Sequence, residues 1–445
     1  MCISAIFSCV VCKLLHAVIR SFGRGGTALP GRVALKLCPD ILSICSRGVT
    51  TLAVTGTNGK TTSVRIVETA LRNEGRAVFS NRSGANLMDG IACEFILNTT
   101  LTLKPKRDTA VIECDEAACR TVIPAIKPKA LLVTNLFRDQ LDRYGSVSKP
   151  RDCIAEGLRA SPETVLCVNA DCPMTRSIAG MIPNTVRFFG MSGAQGRSPG
   201  SGEDMRCPVC GAGLRYSELT YASLGRYTCR SCGFSRPEPD YVGSPLHDGS
   251  FVLTADGERS IIKPALPGMY NAYNALGAAA LCLSAGADRS CAEAAASDFE
   301  CGFGRSESFD LGEAGARMIL IKNAAAADQT LELIGQDSGD KCIVFIINAR
   351  PADGTDISWL GETDMKRLTR MKGLTKLYIS GDKAEDAANY IIREKIACET
   401  ITDYDKLIEK LRDEQSFIYI LPTYTAMLDF RQLLVKKLGG KQFWE

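Results

Sequence analysis

The chain has 445 residues, with 53 Lys and Arg against 50 Asp and Glu, so its formal charge of +3 gives no electrostatic case for a nucleic-acid partner. Its composition, 45% hydrophobic and 23% charged, is that of a globular protein, and its length calls for two or three cores rather than one. Twenty cysteines would imply a disulfide framework in a small secreted chain, but most stand singly in apolar runs such as "LCVNA" and "CIVFIIN". A thiol there behaves as a small buried hydrophobe, which points to a reducing cytoplasm.

The first element is "MCISAIFSCVVCKLLHAVIRS" (1–21), whose basic residues follow the apolar run instead of preceding it, with no evident cleavage site. It reads as an amphipathic helix whose apolar stretch is too short to span a bilayer, in a chain expected in the cytoplasm or peripheral at the inner face of the membrane. "TLAVTG" (51–56) is a short β-rich run and "TTSVRIVETALRNEG" (61–75) has helical spacing ending at Gly75. The same alternation continues with "TAVIE" as strand, "EAACRTVIPAI" as helix, "ALLVTN" as strand, a helix around 150–160 and "TVLCVN" as strand. Such alternation predicts a mostly parallel sheet covered on both faces. The rhythm breaks at the Gly/Ser-rich stretch 191–206, followed by a cysteine cluster and two short strand-like runs at 250–263. Helices resume at "LPGMYNAYNALGAAALCLSAG", and beyond Gly304-Arg305 a second α/β set appears, with "RMILIKN", "KCIVFIIN", "TKLYIS" and "SFIYIL" as strands.

"VTGTNGKTTS" (54–63) joins the first strand to the first long helix of the sheet. It has the glycines, lysine and hydroxyls of a phosphate cradle, but counting back from Gly59-Lys60 puts Val54 where the common P-loop has its first glycine. Backbone N–H groups from Thr57 to Lys60 and the helix N-terminus are placed to surround an anionic phosphate. Lys60 would reach the outer phosphates, and Thr61 or Thr62 would hold Mg²⁺. Farther on, Cys207-x-x-Cys210 and Cys229-x-x-Cys232 are two knuckles at a separation that fits a tetrahedral four-thiolate Zn²⁺ site with no open position. Gly211 and Gly233, just after each pair, allow the tight turns such a site needs; a redox pair is the lesser alternative.

The short loop G-T-N-G-K-T-T resembles that of the Mur ligase superfamily, ATP-dependent enzymes that make amide bonds in peptidoglycan precursors. "NRSGANLMDGI" (81–91), "VIECDEAA" (111–118), "VTNLFRDQLDRYG" (133–145), "LPGMYNAYNALGA" (266–278), "FGRSESF" (303–309), "ADGTDISW" (352–359) and "LPTYTAML" (421–428) extend the likeness over nearly the whole chain. Together they resemble the MurT family, the synthetase subunits of lipid II isoglutaminyl synthase. The resemblance implies a helical extension at 1–48 and a central ATP-binding domain at 49–304, with a parallel sheet and a zinc ribbon inserted at about 205–240. A Rossmann-like α/β domain would follow at 305–445. It implies ATP, Mg²⁺ and structural Zn²⁺ as cofactors. The nucleotide would lie on Gly56, Thr57, Asn58, Gly59, Lys60, Thr61 and Thr62, with Asn271 and Asn274 on the adenine and Arg305 near the γ-phosphate. Glu113, with Thr61, would hold Mg²⁺, and Asn135 would sit near the metal.

In the family an aspartate from the "ADGTDISW" segment completes the catalytic triad of a partner glutaminase, GatD. Asp353 is the first choice for that role and Asp356 the second. The chain's two histidines, His16 and His247, have no cysteine in a nucleophile context beside them, so ammonia would come from that partner. The implied reaction is amidation of the D-glutamate α-carboxyl in the lipid II stem peptide. The sequence departs from the pattern where Gln140 follows Asp139 in place of histidine, in having no clear match to a carbamylated lysine, at Ala349 where an aspartate is usual, and in "IKNAAAADQ" (321–329). A superfamily ligase adding an amino acid, such as folylpolyglutamate synthase, is the alternative; the cysteine knuckles and "ADGTDISW" argue against it. Near-neutral charge argues against a ribbon-bearing nucleic-acid regulator.

Overall fold

The computed structural model describes residues 3–21, 26–82, 84–137, 148–193, 205–299 and 305–439. The chain divides into two compact units, the first ending at Glu300 and the second running from Cys301 to Glu445. The expected class, α/β with a mostly parallel sheet, is the one observed.

The first unit's strands are β1 (Thr50–Thr55), β2 (Val78–Ser80), β3 (Thr109–Glu113), β4 (Ala130–Val133), β5 (Val165–Asn169), β6 (Val186–Met191), β7 (Arg215–Tyr221), β8 (Leu224–Thr228), β9 (Tyr241–Pro245), β10 (Phe251–Ala255) and β11 (Glu258–Ile262). Among the described residues, nine of them form one sheet in the order β11-β10-β9-β6-β5-β4-β1-β3-β2, while β7 and β8 form a separate two-stranded ribbon. Pairing is parallel from β2 through β9, and β10 and β11 close the edge antiparallel. Strands β1, β3 and β4 are apolar and almost wholly buried, as strands covered on both faces must be. Their side chains alternate between two cores. Leu52, Val54, Val111 and Leu132 meet the helices Lys60–Asn73 and Met269–Ser284; Ala53, Ile112, Leu131 and Val133 meet Met88–Leu97, Cys119–Ile126 and the N-terminal helices.

The strands called from sequence at 51–56, "TAVIE", "ALLVTN", "TVLCVN" and 250–263 are present. Strands β2, β6, β7, β8 and β9 were not called: β2 has three residues, β6, β8 and β9 each carry a glycine, and β7 and β8 lie in the cysteine-bearing stretch. The glycine in β9 has a packing cause, since a Cβ on Gly243 would lie 2.6 Å from Met191 Sδ.

The N-terminal helix Ile3–Ser21 corrects one expectation. At 19 residues it is long and apolar enough, by length and composition, to cross a membrane. One face, however, is committed to the protein: Ala5, Cys9 and Cys12 are fully buried in the second core, and Ser8 Oγ donates to Ala34 O at 2.9 Å.

The second unit has β12 (Arg305–Phe309), β13 (Ala316–Ile319), β14 (Lys341–Ile346), β15 (Leu374–Ser380), β16 (Glu399–Thr400) and β17 (Phe417–Pro422) in the order β12-β13-β17-β14-β15-β16. All pairings are parallel except β12 with β13. The four strands called from sequence are β13, β14, β15 and β17. Central β14 again alternates faces, Ile343 and Phe345 to one core and Cys342, Val344 and Ile346 to the other. The "IKNAAAADQ" stretch becomes the start of helix Ala324–Gln336, whose N-terminus is capped by Asn323 Oδ1 accepting from Ala326 N at 2.9 Å.

Candidate active site

The loop at residues 56–59 leaves the carboxyl end of β1, between β3 and β4. In an open parallel sheet this crevice is where ligands bind. The loop is held from the β4 side. Thr57 N–H donates to Asn135 O at 2.8 Å and Asn58 N–H to Asn135 Oδ1 at 3.0 Å, while Thr134 Oγ1 and Asn135 Nδ2 donate to Asn58 O at 2.7 and 3.1 Å. Asn135 was read from sequence as a residue near the metal; here it clamps the loop backbone.

Gly59 starts the helix Lys60–Asn73 at φ +87°, and a Cβ there would lie 1.9 Å from Asn274 Oδ1. Only glycine meets both conditions. The same contact brings the Asn271/Asn274 helix onto the loop. Both amides are buried, Asn274 Nδ2 donating to Asn271 Oδ1 at 3.3 Å and Asn271 Nδ2 to Pro267 O at 2.9 Å, and Ser63 Oγ ties the two helices through Asn274 O at 3.4 Å.

Lys60 and Thr61 meet the carboxyl end of β3. Lys60 Nζ donates to Glu116 Oε1 at 3.0 Å and to Gly56 O at 2.5 Å. Burial works to lower the Lys60 pKa, but Glu116 and then Glu113 outweigh it, so the ammonium is held charged above its usual range. Thr61 Oγ1 donates to Glu113 Oε2 at 2.6 Å, and Asn86 Nδ2 reaches Glu113 Oε1 at 3.3 Å. Asn81 fixes the Glu113 backbone in both directions, accepting at 2.9 Å and donating at 2.8 Å. Thr61 and Glu113 thus present adjacent hard oxygens, the donor chemistry Mg²⁺ takes, while Thr62, the other hydroxyl read from the loop, is buried. Sequence reasoning did not single out Glu116, Asn81, Asn86 or Thr134. Asn81 and Asn86 lie within "NRSGANLMDGI", quoted only as a likeness.

The four cysteines do converge: ligand atoms of Cys207, Cys210, Cys229 and Cys232 all lie within 4.8 Å of one another, with Cys207–Cys232 at 3.6 Å and Cys210–Cys229 at 3.5 Å. Tetrahedral Zn–S bonds put sulfurs about 3.8 Å apart, so the quartet fits that metal and could hold one. The two knuckles are built alike. Gly211 N–H donates to Cys207 O and Gly233 N–H to Cys229 O, at 2.9 and 3.0 Å, with both glycines at positive φ.

This knuckle end has a small core of Cys207, Tyr227, Cys229 and Phe234, with Ala212, Leu214 and Tyr216 packed against it. It is fastened to the sheet by polar bonds. Arg236 Nε donates to Asp171 Oδ1 at 2.5 Å, and Asp171 Oδ2 also accepts from Tyr273 OH at 2.6 Å and Met191 N at 2.8 Å. Burial pushes the Asp171 carboxyl up and Arg236 opposes it. Tyr227 OH donates to Ala170 O at 3.1 Å.

In the second unit, Asp353 and Asp356 follow β14 on the same turn segment but do different things. Asp353 is half-buried and occupied: it accepts from Thr425 N at 2.7 Å, Thr425 Oγ1 at 2.5 Å and Arg350 N at 3.1 Å, joining "ADGTDISW" to "LPTYTAML" at the start of helix Tyr424–Leu438. Asp356 is exposed and accepts only locally, from Ser358 N at 2.7 Å and Ser358 Oγ at 2.6 Å. Arg305 opens β12, but its side chain lies outside the described residues, as do Asp139 and Gln140.

With this geometry in hand, comparison with known proteins gives two matching family models: the Mur ligase middle domain over residues 54–205 and the MurT ligase C-terminal domain over 320–427. The Streptococcus pneumoniae protein named lipid II isoglutaminyl synthase (glutamine-hydrolyzing) subunit MurT is 34% identical over 434 residues, 95% of each chain. Among solved structures, a pseudomurein peptide ligase type C from Methanothermus fervidus superposes with a TM-score of 0.67 at 22% identity, covering 87% of this chain and 79% of that one. MurF ligase from Thermotoga maritima, solved in complex with ADP, gives a TM-score of 0.59 at 15% identity over 92% and 84%. The fold is that of the Mur ligases, and the identity shared with the pneumococcal subunit along the full length carries the assignment further: the chain belongs to the MurT family of Mur ligases.

Proposed function

We propose that the chain is the synthetase subunit of a glutamine-dependent lipid II amidating enzyme in the cytoplasm. ATP would bind on the 56–62 loop, with Asn271 and Asn274 toward the adenine and Arg305 toward the γ-phosphate. Thr61 and Glu113 would hold Mg²⁺, which neutralises phosphate charge when bound. The observation that carries this reading is the meeting of Lys60, Thr61, Glu113 and Glu116 at the ends of β1 and β3, in a chain with MurT relatives.

In the first step an oxygen of the D-glutamate α-carboxylate attacks the γ-phosphorus, the bond to the β-phosphate oxygen breaks and ADP leaves. The acyl phosphate carbon is then attacked by ammonia, a C–N bond forms, and inorganic phosphate departs as the nitrogen gives up a proton. Lys60, kept charged by its carboxylate neighbours, meets negative charge on the transferring phosphoryl group. Ammonia would come from a separate GatD-type glutaminase, whose histidine a carboxylate of this chain orients. Asp356 suits that task better than Asp353, because a triad acid must offer free lone pairs outward and Asp353 is already accepting three hydrogen bonds. The cysteine quartet would hold a structural Zn²⁺ in an insertion at about 205–240 of a domain spanning 49–304, between the 1–48 extension and the 305–445 domain.

The test is mass spectrometry of lipid II after incubation with ATP, Mg²⁺ and either ammonium chloride alone or glutamine plus the partner. Lys60→Ala should slow both routes by about a thousandfold. Asp356→Asn should lose the glutamine route and keep the ammonia route. Ammonia-driven amidation that survives Lys60→Ala would remove the loop from the mechanism, and a product heavier by an amino acid would move the assignment to the folylpolyglutamate-type ligases.

A further inference from the structure

We infer that the N-terminal helix pair is a docking face that lies flat on an anionic lipid surface. Residues 1–39 hold Lys13, Arg20, Arg24, Arg32 and Lys36 and no Asp or Glu, in a chain whose total charge is only +3. The helix Ile3–Ser21 buries Ala5, Ser8, Cys9 and Cys12 on one side. On the opposite side Ile3 is 85% exposed, Phe7 57%, Leu14 62% and Val18 54%. Their spacing makes one apolar stripe along the helix. The next helix, Ala28–Leu37, adds exposed Leu29 and Leu37 together with Arg32, which also reaches Asp89, and Lys36.

The buried face decides how the helix meets lipid. Cys12 Sγ lies 3.8 Å from Cys93 Sγ, Ser8 is bonded to Ala34 O, and Lys13 Nζ donates to Thr99 O. Spanning a bilayer would tear out these contacts, whereas lying in the interface leaves them and buries only the stripe. Charge selects the occupant. A second copy on this face would set the exposed cations Arg20, Arg32 and Lys36 of each chain against one another, with no acid in residues 1–39 to answer them. Anionic headgroups complement the same charges. The inference deepens the lipid-linked reading and rests on it for its purpose, since a substrate anchored in a membrane must be met at the membrane plane.

The test is co-sedimentation of the full chain with phosphatidylcholine vesicles, with and without phosphatidylglycerol, at low and high salt. The wild-type chain should partition at least about tenfold more strongly to the anionic vesicles, and salt should reduce this. Phe7→Glu/Leu14→Glu should lose about tenfold or more with an unchanged melting curve, since both side chains are exposed. Equal partition to the two vesicle types, equal partition of wild type and variant, or a dimer that the variant splits in the absence of vesicle binding overturns the inference. Amidation of detergent-dispersed lipid II is measured alongside: turnover without vesicle binding sinks the docking face and leaves the reaction standing, and vesicle binding without turnover supports the docking face and sinks the reaction.

Discussion

The nucleotide loop and the cysteine ribbon sit in the same unit and are held by opposite means. The loop's contacts reach far along the chain: Asn58 to Asn135, Thr61 to Glu113, Ser63 to Asn274. Each partner sits at the end of a strand or on a helix already fixed by two large apolar cores. The knuckles are local, with four cysteines within 26 residues and a core of four buried side chains with Ala212, Leu214 and Tyr216 packed on it, little apolar surface beside the two cores of the sheet. The cores place the loop's oxygens and nitrogens; the knuckles' sulfurs converge within 4.8 Å of one another, as a metal site needs them. Mid-ribbon the two regimes join, because Tyr221 and Leu224 belong to the sheet's core while Cys207 and Cys229 do not.

Metal removal separates the two most sharply. Structural zinc contributes on the order of 10 kcal/mol to a site of this kind. Chelation from the zinc-loaded chain should therefore abolish amide exchange protection at residues 205–213 and 228–235, while Tyr221 and the helix Lys60–Asn73 keep theirs. Protection that persists in the knuckles after the metal is gone would mean the hydrophobic ribbon orders itself. The next largest effect is on the fastening between the regions. Arg236→Met leaves the fully buried Asp171 without its cation, which costs about 3–5 kcal/mol. Denaturant titration should show that loss with the zinc content of the chain unchanged, since neither residue touches a thiol. A loss under about 1 kcal/mol, or release of zinc, would show the pair and the knuckles to be one structure.

This contrast also sets what could be read from the sequence. The knuckles were legible in full, because ligands two residues apart on a tight glycine turn leave a contiguous pattern. The loop was legible as far as it is contiguous, from Gly56 to Thr62. Its surroundings were not. Glu116 stood only within the quoted "VIECDEAA", and nothing in the order of residues says that it, and not Asp115, reaches Lys60. Asp171 and Arg236 are 65 residues apart in ordinary surroundings, and only the folded sheet makes them partners. Asp353 shows the converse: a pattern named the segment, but what sets its two carboxylates apart is the bonding of Asp353 to Thr425, 72 residues on, which no local reading could weigh.

The smallest change that tests the comparison is one methyl group. At Gly59 the backbone is at φ +87°, which strains any side chain, and the added carbon would lie 1.9 Å from Asn274 Oδ1 and 2.8 Å from Asn274 Cγ. The buried Asn274 amide must move, and with it the hydrogen bond to Asn271. Gly59→Ala should therefore lower ATP turnover by about a hundredfold, the effect of roughly 1 Å of misplacement in a reacting group. Because the cores that set the strands are untouched, exchange protection in β1 and the occupancy of the cysteine quartet should not change. Near-normal turnover would mean that the asparagine helix can withdraw from the loop without loss, and that its packing there is structural only. Loss of turnover together with loss of protection in β1 would mean that the loop helps to order the sheet, and the division between core-placed and metal-placed regions would have to be redrawn at the loop.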